Sequence, residues 1–283
     1  MKYKALFIGL TTIDIQYFVD EFPISNKKIK TKSPDIFIGG PATNAAVAFS
    51  HLNNSAFLAT AFGVNSFKKY LNDDFENVNI KHFDLVENQK VNPVIASVIT
   101  SNNGERNIFT HNPNSIQTEI TPVELFKKLD PQIILLDGFY PEFSVECARI
   151  AKDKGIPVVL DCGSWKPQYE QLLNFADVAI CSNDFYPPNC NNSDEVFQFI
   201  LKTKVNKMAI TRGGESILFF QYKRGEIAIE KTEVMDTLGA GDFLHGTFCY
   251  YYLQTGSFEL AIKKASEKAS YSCKFKGTRK WLK

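Results

Sequence analysis

The sequence predicts an α/β fold in which a mainly parallel central sheet is covered by helices on both faces and a small second sheet acts as a lid. Three observations predict it. Short apolar runs alternate with helix-length segments through the middle of the chain; two strand-rich excursions interrupt that rhythm near the N-terminus; and the C-terminal part returns to helices.

The elements follow in order. MKYKALFIGLTTID has a short apolar stretch that reaches Asp14 quickly. It reads as a buried first strand and is too short for a signal peptide or a membrane span. Residues 13–38 look extended, with charged and apolar positions mixed. A helix over 42–52 follows Gly39-Gly40 and is apolar nearly all round, hence buried. Residues 91–111 read as two strands joined by a tight turn at Asn103-Gly104. Strands are then predicted near 132–137, 156–161, 177–182 and 206–211, with helices near 142–154, 168–175 and 193–203, the rhythm of β-α-β units in a parallel sheet. A strand pair near 215–230 precedes helices at 240–253 and 257–274. In the last, Phe258, Ala261, Ala265, Ala269 and Cys273 recur at helical spacing, so one face is buried. The expected organisation is a single domain over 1–283, with lid segments at about 13–38 and 91–111 inserted in it.

Each middle strand ends in a polar residue: Asp137, Asp161, Ser182 followed by Asn183, and Thr211. Ligands of open parallel sheets bind beyond those ends. Strands also end in polar turns for no functional reason, and four in register point only weakly to a site.

Composition narrows the classes. With 32 basic and 31 acidic residues the formal net charge is +1, so nothing electrostatic argues for nucleic acid or an anionic membrane as partner. The six cysteines are scattered, without a C-x-x-C pair, and several sit in apolar runs as in VVLDC and VAICS. They read as buried thiols of a reducing compartment, and the expected location is the cytoplasm. His51, His82, His111 and His245 are isolated and lack metal-ligand spacing, so they read as structural histidines and no protein metal site is expected. G-x-x-x-x-G-K-[ST] is absent, and so is G-x-G-x-x-G after the first strand, which argues against a P-loop kinase and a dinucleotide-dependent oxidoreductase. The aromatic run Phe248 to Tyr252 lies in a predicted helix and reads as core.

The strongest chemical signal is MDTLGAGDFLHGTF, residues 235–248. Gly239, Ala240 and Gly241 stand where a loop becomes a helix, so backbone N–H groups can approach an anion and the helix N-terminus adds to their pull. Asp242 follows directly. An anion cradle beside a carboxylate is what phosphoryl transfer to a hydroxyl requires, although an Asp also favours a helix N-terminus for structural reasons. The second signal is IGGPATNAAVAFSHL, residues 38–52, in which Gly39-Gly40 is free of side chains and Asn44 either caps a neighbouring backbone group or faces a ligand. The third is Asp14, placed after the first strand, where a carboxylate can hold two hydroxyls of a polyol.

These motifs resemble those of the ribokinase/phosphofructokinase-B (PfkB) family of carbohydrate kinases over nearly the whole chain, from Asp14 through GGPATN to DTLGAGD. GLTTIDIQYFVDEFP and NGERNIF lean towards its ketohexokinase branch. The resemblance implies a ribokinase-like three-layer α/β/α sandwich with a β-sheet lid, and transfer of the ATP γ-phosphoryl to a sugar hydroxyl with ATP and Mg2+. It places Asp14, Gly39, Gly40 and Asn44 on the sugar, Asp242 as base, and the N–H groups of Gly239, Ala240 and Gly241 as the anion hole. Thr211, Gly213, Gly214 and the segment from Ser266 to Gly277 fall beside the nucleotide, and Arg106 is a lid arginine that reaches the phosphates. It also points to a homodimer through the lid.

Two positions depart from the family. Its Asn-x-x-Glu motif organises magnesium, but here Asn183 is followed by Tyr186 in the Glu position, with Asp184 nearby. Pro41 replaces a residue that is often polar or small. The alternative functions are a nucleoside or vitamin-like alcohol kinase of the same family, and a ligand-binding homologue without catalysis.

Overall fold

A computed structural model describes residues 2–31, 34–102, 105–111, 113 and 116–282. Strand β1 (Lys4–Ile8) lies inside the main sheet. Its pleat sends Ala5 and Phe7 to one core and Leu6 and Ile8 to the other, so both faces of the sheet are covered. On one side of β1 run β4 (Ser55–Thr60) and β5 (Ile80–Asp84); on the other run β8 (Ile133–Leu136), β9 (Val158–Cys162), β10 (Val178–Ser182) and β11 (Lys207–Arg212). All of these pairs are parallel. The hairpin of β12 (Glu215–Gln221) and β13 (Lys223–Ile227) closes the sheet antiparallel, in the order 13-12-11-10-9-8-1-4-5.

Helices α1 (Pro41–His51), α2 (Lys68–Asn77), α7 (Ala240–Thr255) and α8 (Phe258–Ser272) share one core through Phe49, Phe75, Phe248 and Ile262. On the opposite face, α3 (Pro122–Lys128), α4 (Pro141–Asp153), α5 (Tyr169–Leu172) and α6 (Ser193–Leu201) contribute Leu125, Cys147, Leu172 and Phe197. The result is the expected three-layer α/β/α sandwich. Gly256 in the left-handed region ends α7, and the Ser257 side chain caps the next helix by accepting from the Leu260 amide. The aromatic run is core as expected: Phe248 is fully buried, stacks on Tyr252 and meets the edge of Phe258.

The second sheet has the order β3-β2-β6-β7, built from β2 (Thr12–Val19), β3 (Asp35–Gly39), β6 (Val94–Ser101) and β7 (Arg106–Phe109). Strands β2 and β6 pair parallel, joining the two excursions, and β3 and β7 flank them antiparallel. The Asn103-Gly104 turn lies outside the described residues; the strands on either side of it pair as a hairpin, Thr100 opposite Arg106.

Four strands and helices went unread in the sequence: β4, α2, β5 and α3. Helix α2 buries only Leu71 and Phe75, too thin a stripe to stand out from its polar neighbours. Segment 168–175 is shorter as a helix than predicted, α5 covering only Tyr169–Leu172. All six cysteines are unpaired and five are buried. Among the described residues no helix is long and apolar enough to cross a membrane.

Strand order reverses at β1, because the chain continues to β4 on one side and β8 on the other. The crevice beyond the carboxyl ends of the strands opens there, and the lid strands leave from its rim.

Candidate active site

Two adjoining cavities occupy that crevice. The first, about 410 Å³, is lined by Asp14, Gly40, Asn44, Asp137, Asp161 and Asp242 among others. The second, about 530 Å³, is lined by Thr211, Gly213, Gly214, Ser266 and Cys273 with an apolar wall of Ile217, Ile229 and Leu244. Arg106 and Gly241 line both, so the cavities meet at the start of α7. A larger groove of about 790 Å³ runs along β5 and contains none of these groups.

The junction is built by the loop into α7. Gly239 caps the helix with φ +76°, a conformation that costs L-residues, and a Cβ there would lie 2.9 Å from the Phe243 ring. Among the described residues no acceptor meets the amides of Gly239 and Gly241, whereas that of Ala240 donates to the Thr237 carbonyl at 3.2 Å. Two of the three amides expected to hold an anion are therefore free to do so. Asp242, in the first turn, accepts from Asn44 Nδ2 at 2.9 Å. Burial, reinforced by the charge of Asp161, raises its pKa to about 7, against the opposing pulls of Asn44, His245 and Arg106. A carboxyl near neutrality is matched to proton acceptance at that pH.

Asp14 is buried and accepts from Thr12 Oγ1 at 2.5 Å; burial raises its pKa to about 6, with Thr12 and Arg279 pulling the other way. The diglycine has a packing reason beside any ligand. A Cβ on Gly39 would sit 2.0 Å from Asp14 Oδ2, and one on Gly40, where φ is +100°, would sit 2.3 Å from the Leu10 carbonyl. Asn44 is engaged on both sides, donating to Asp242 and accepting from Arg279 Nη1 at 3.1 Å. It thus orients the carboxylate of Asp242. Asp137 accepts from the amides of Leu10 and Phe139, while burial moves its pKa to about 6.

At the second cavity, Gly213 adopts φ +62°, and nothing lies within 4 Å of a Cβ at Gly213 or Gly214. Thr211 Oγ1 donates to the Cys181 carbonyl at 3.3 Å. Of the segment from Ser266 to Gly277, residues Ser266, Ala269, Ser270 and Cys273 line the cavity. Gly277 lies off it, its amide donating to Asp236 Oδ2 at 2.8 Å. Asn183, Asp184 and Tyr186 are exposed and line neither cavity. Arg106 donates from Nη1 to Thr237 Oγ1 at 2.6 Å, which holds the lid strand against the loop into α7.

Sequence reasoning missed two anchors. Arg279 donates to Asn44, to the Ile38 carbonyl at 2.7 Å and to Asp74 at 2.9 Å, tying α1, β3 and α2 together. Asp236 accepts from Gln16 Nε2 at 2.9 Å, the Leu238 amide at 3.0 Å and the Gly277 amide, joining the lid to the glycine loop. Nothing around GTRKW marks Arg279, but Asp236 opens the DTLGAGD run and could have been read with it.

A crevice of this shape, with a carboxylate poised near neutrality beside free helix-terminal amides, suits transfer of an anionic group to an alcohol. The chain belongs to the pfkB family of carbohydrate kinases, whose pattern matches residues 2–282. It is 24% identical to a ribokinase from Lactococcus lactis over 93% of this chain and 88% of that one. It is also 24% identical to a nucleoside kinase from Methanocaldococcus jannaschii over 97% and 91%. The ribokinase structure from Thermotoga maritima superposes with a TM-score of 0.80 at 19% identity, covering 100% of this chain and 96% of that one. The fold is therefore ribokinase-like, and membership of the family makes this an ATP-using carbohydrate kinase.

Proposed function

We propose that this kinase transfers the γ-phosphoryl of ATP in line to a hydroxyl of a sugar or sugar derivative held in the 410 Å³ cavity, with Asp242 as the base. The observation that carries this reading is the shared wall: Gly241 and Arg106 face both cavities while Asp242 faces the acceptor side. Asp14 accepts hydrogen bonds from acceptor hydroxyls. Asp242 takes the proton of the attacking hydroxyl as the bond to phosphorus forms. The amides of Gly239 and Gly241 donate to the oxygens of the transferred group, and Arg106 adds its charge from the lid. The adenine end fits the second cavity, which the open Gly213-Gly214 turn lines together with the apolar Ile217, Ile229 and Leu244.

Among the described residues no group of three His, Cys, Asp or Glu side chains could hold a metal ion. We place magnesium on the nucleotide phosphates and water, where it would offset phosphate charge.

A nucleoside acceptor is the second reading, because Leu10, Ala96, Val98, Ile108 and Phe139 add apolar surface to the acceptor cavity. The Lys166 ammonium sits 4.5 Å over the Phe139 ring, however, and takes one face that a base would stack on. That favours the sugar. The lid presents β7 as an edge strand with Ile108 and Phe109 exposed, and we place the contact of a homodimer there.

Turnover of ATP with magnesium against ketoses, aldoses, sugar acids and nucleosides tests the reading. Asp242→Asn is expected to keep the fold and ATP binding and to lose about 10²–10⁴ in turnover. Unchanged turnover in that variant would remove Asp242 from the role.

A further inference from the structure

Behind the phosphoryl site lies a buried pair that the mechanism above leaves unused. Asp161 stands on β9 and His245 one turn beyond Asp242 on α7, each with 7% of its side chain exposed. Nε2 of His245 is 3.5 Å from Asp161 Oδ1 and 3.3 Å from the Ile180 carbonyl, and Nδ1 is 2.7 Å from the Gly241 carbonyl. All three partners are acceptors, so a ring with a single N–H serves only one side, and a ring with a proton on each nitrogen serves both. The second carboxylate oxygen, Asp161 Oδ2, is buried with no hydrogen-bond partner among the described residues, and Asp161 borders the acceptor cavity.

We propose that Asp161 and His245 form a positioning pair for the phosphoryl site, in which His245 links Asp161 on β9 to the Gly241 carbonyl and so fixes the turn that carries Asp242 against the central sheet. This rests on the reading of Asp242 as base. The alternative is a core histidine that satisfies itself, and the two differ in electrostatics. Asp242 is faced by Asp161 from β9, His245 from α7, Arg106 from β7 and the neutral Asn44 from α1, with Arg279 beyond Asn44. Asp14 from β2, Asp137 after β8 and Lys166 border the same cavity. The negative charge of Asp161 opposes ionisation of Asp242 and the positive charge of His245 assists it. Removing one or the other therefore moves Asp242 in opposite directions, which loss of packing alone does not.

The experiment is a carbon-13 carboxyl titration of Asp242, its signal assigned by its loss in Asp242→Asn, in the wild-type protein, His245→Gln and Asp161→Asn. The acidic limb of kcat/KM is measured beside it. The midpoint is expected to rise by about half a pH unit in His245→Gln and to fall by a similar amount in Asp161→Asn, the limb following each. An unmoved midpoint in both folded variants, or a shift in the same direction in both, overturns the pair. Should His245→Gln not fold, the isosteric Asp161→Asn decides alone: a fall supports the pair and an unmoved or raised midpoint overturns it. The titration needs no turnover. Activity surviving in Asp242→Asn would thus reject the base while the titration still judged the pair.

Discussion

Three carboxyls in the 410 Å³ cavity, Asp14, Asp137 and Asp242, have pKa values raised to between about 6 and about 7 by burial first of all. Each costs stability once it ionises, because the unfolded chain ionises the same group in water at no such cost. The sign follows for Asp14. Its folded pKa of about 6 exceeds the 3.8 of an ordinary aspartate, so the native state binds the proton more tightly and the penalty grows as pH rises from about 4 to about 6. Asp14→Asn is expected to be more heat-stable than the wild type at pH 7, by on the order of 2 kcal/mol, while losing acceptor affinity. Thermal unfolding at pH 7.5 and pH 4.5 checks this; the gain should shrink at the lower pH, and a constant gain would point to packing instead.

Between elements, the decisive contact is the one joining α1 to α7. The two helices approach so closely at Gly246 that a Cβ there would lie 2.0 Å from the Ala45 carbonyl. The Asn44 to Asp242 hydrogen bond spans the same interface. Gly246→Ala must push the helices apart and is expected to lower stability by about 1–3 kcal/mol. It should also lower kcat more than it raises the KM for ATP, because Asp242, the proposed base, loses its hydrogen bond from Asn44. Denaturant unfolding and steady-state kinetics would show it; full kcat in a destabilised variant would mean that Asn44 does not orient the base. Arg279 acts on the same interface from outside, holding α1, α2 and β3 with one guanidinium fork.

At the scale of the whole molecule, two of the ties between the lid and the kinase body reach the loop into α7. Arg106 reaches Thr237, and Gln16 donates both to Thr100 within the lid and to Asp236 at the head of the glycine loop. Lid position and anion-site geometry are thereby linked, as expected of a cover that completes a site when it closes. The outer strand β7 leaves a hydrogen-bonding edge with Phe109 67% exposed. An edge of that kind is a template for pairing. The homodimer proposed at this edge predicts a shift towards monomer in Phe109→Lys by sedimentation velocity; a wild-type monomer at micromolar concentration would rule out this assembly.

The chain by itself determined the parallel sheet, the lid excursions, the glycine loop before α7 and the carboxylate after it, because each is written in contiguous residues whose period or turn chemistry is local. Helices with one thin apolar stripe, such as α2, escaped for the converse reason. Only the tertiary structure decided that Asn44 serves Asp242 across 198 residues and Arg279 serves Asp74 across 205. It also decided that Gly39 yields its space to Asp14 and that His245 faces Asp161. A partner chosen by the folded path of the chain leaves no periodic trace in the sequence, since its spacing is set by every element packed between.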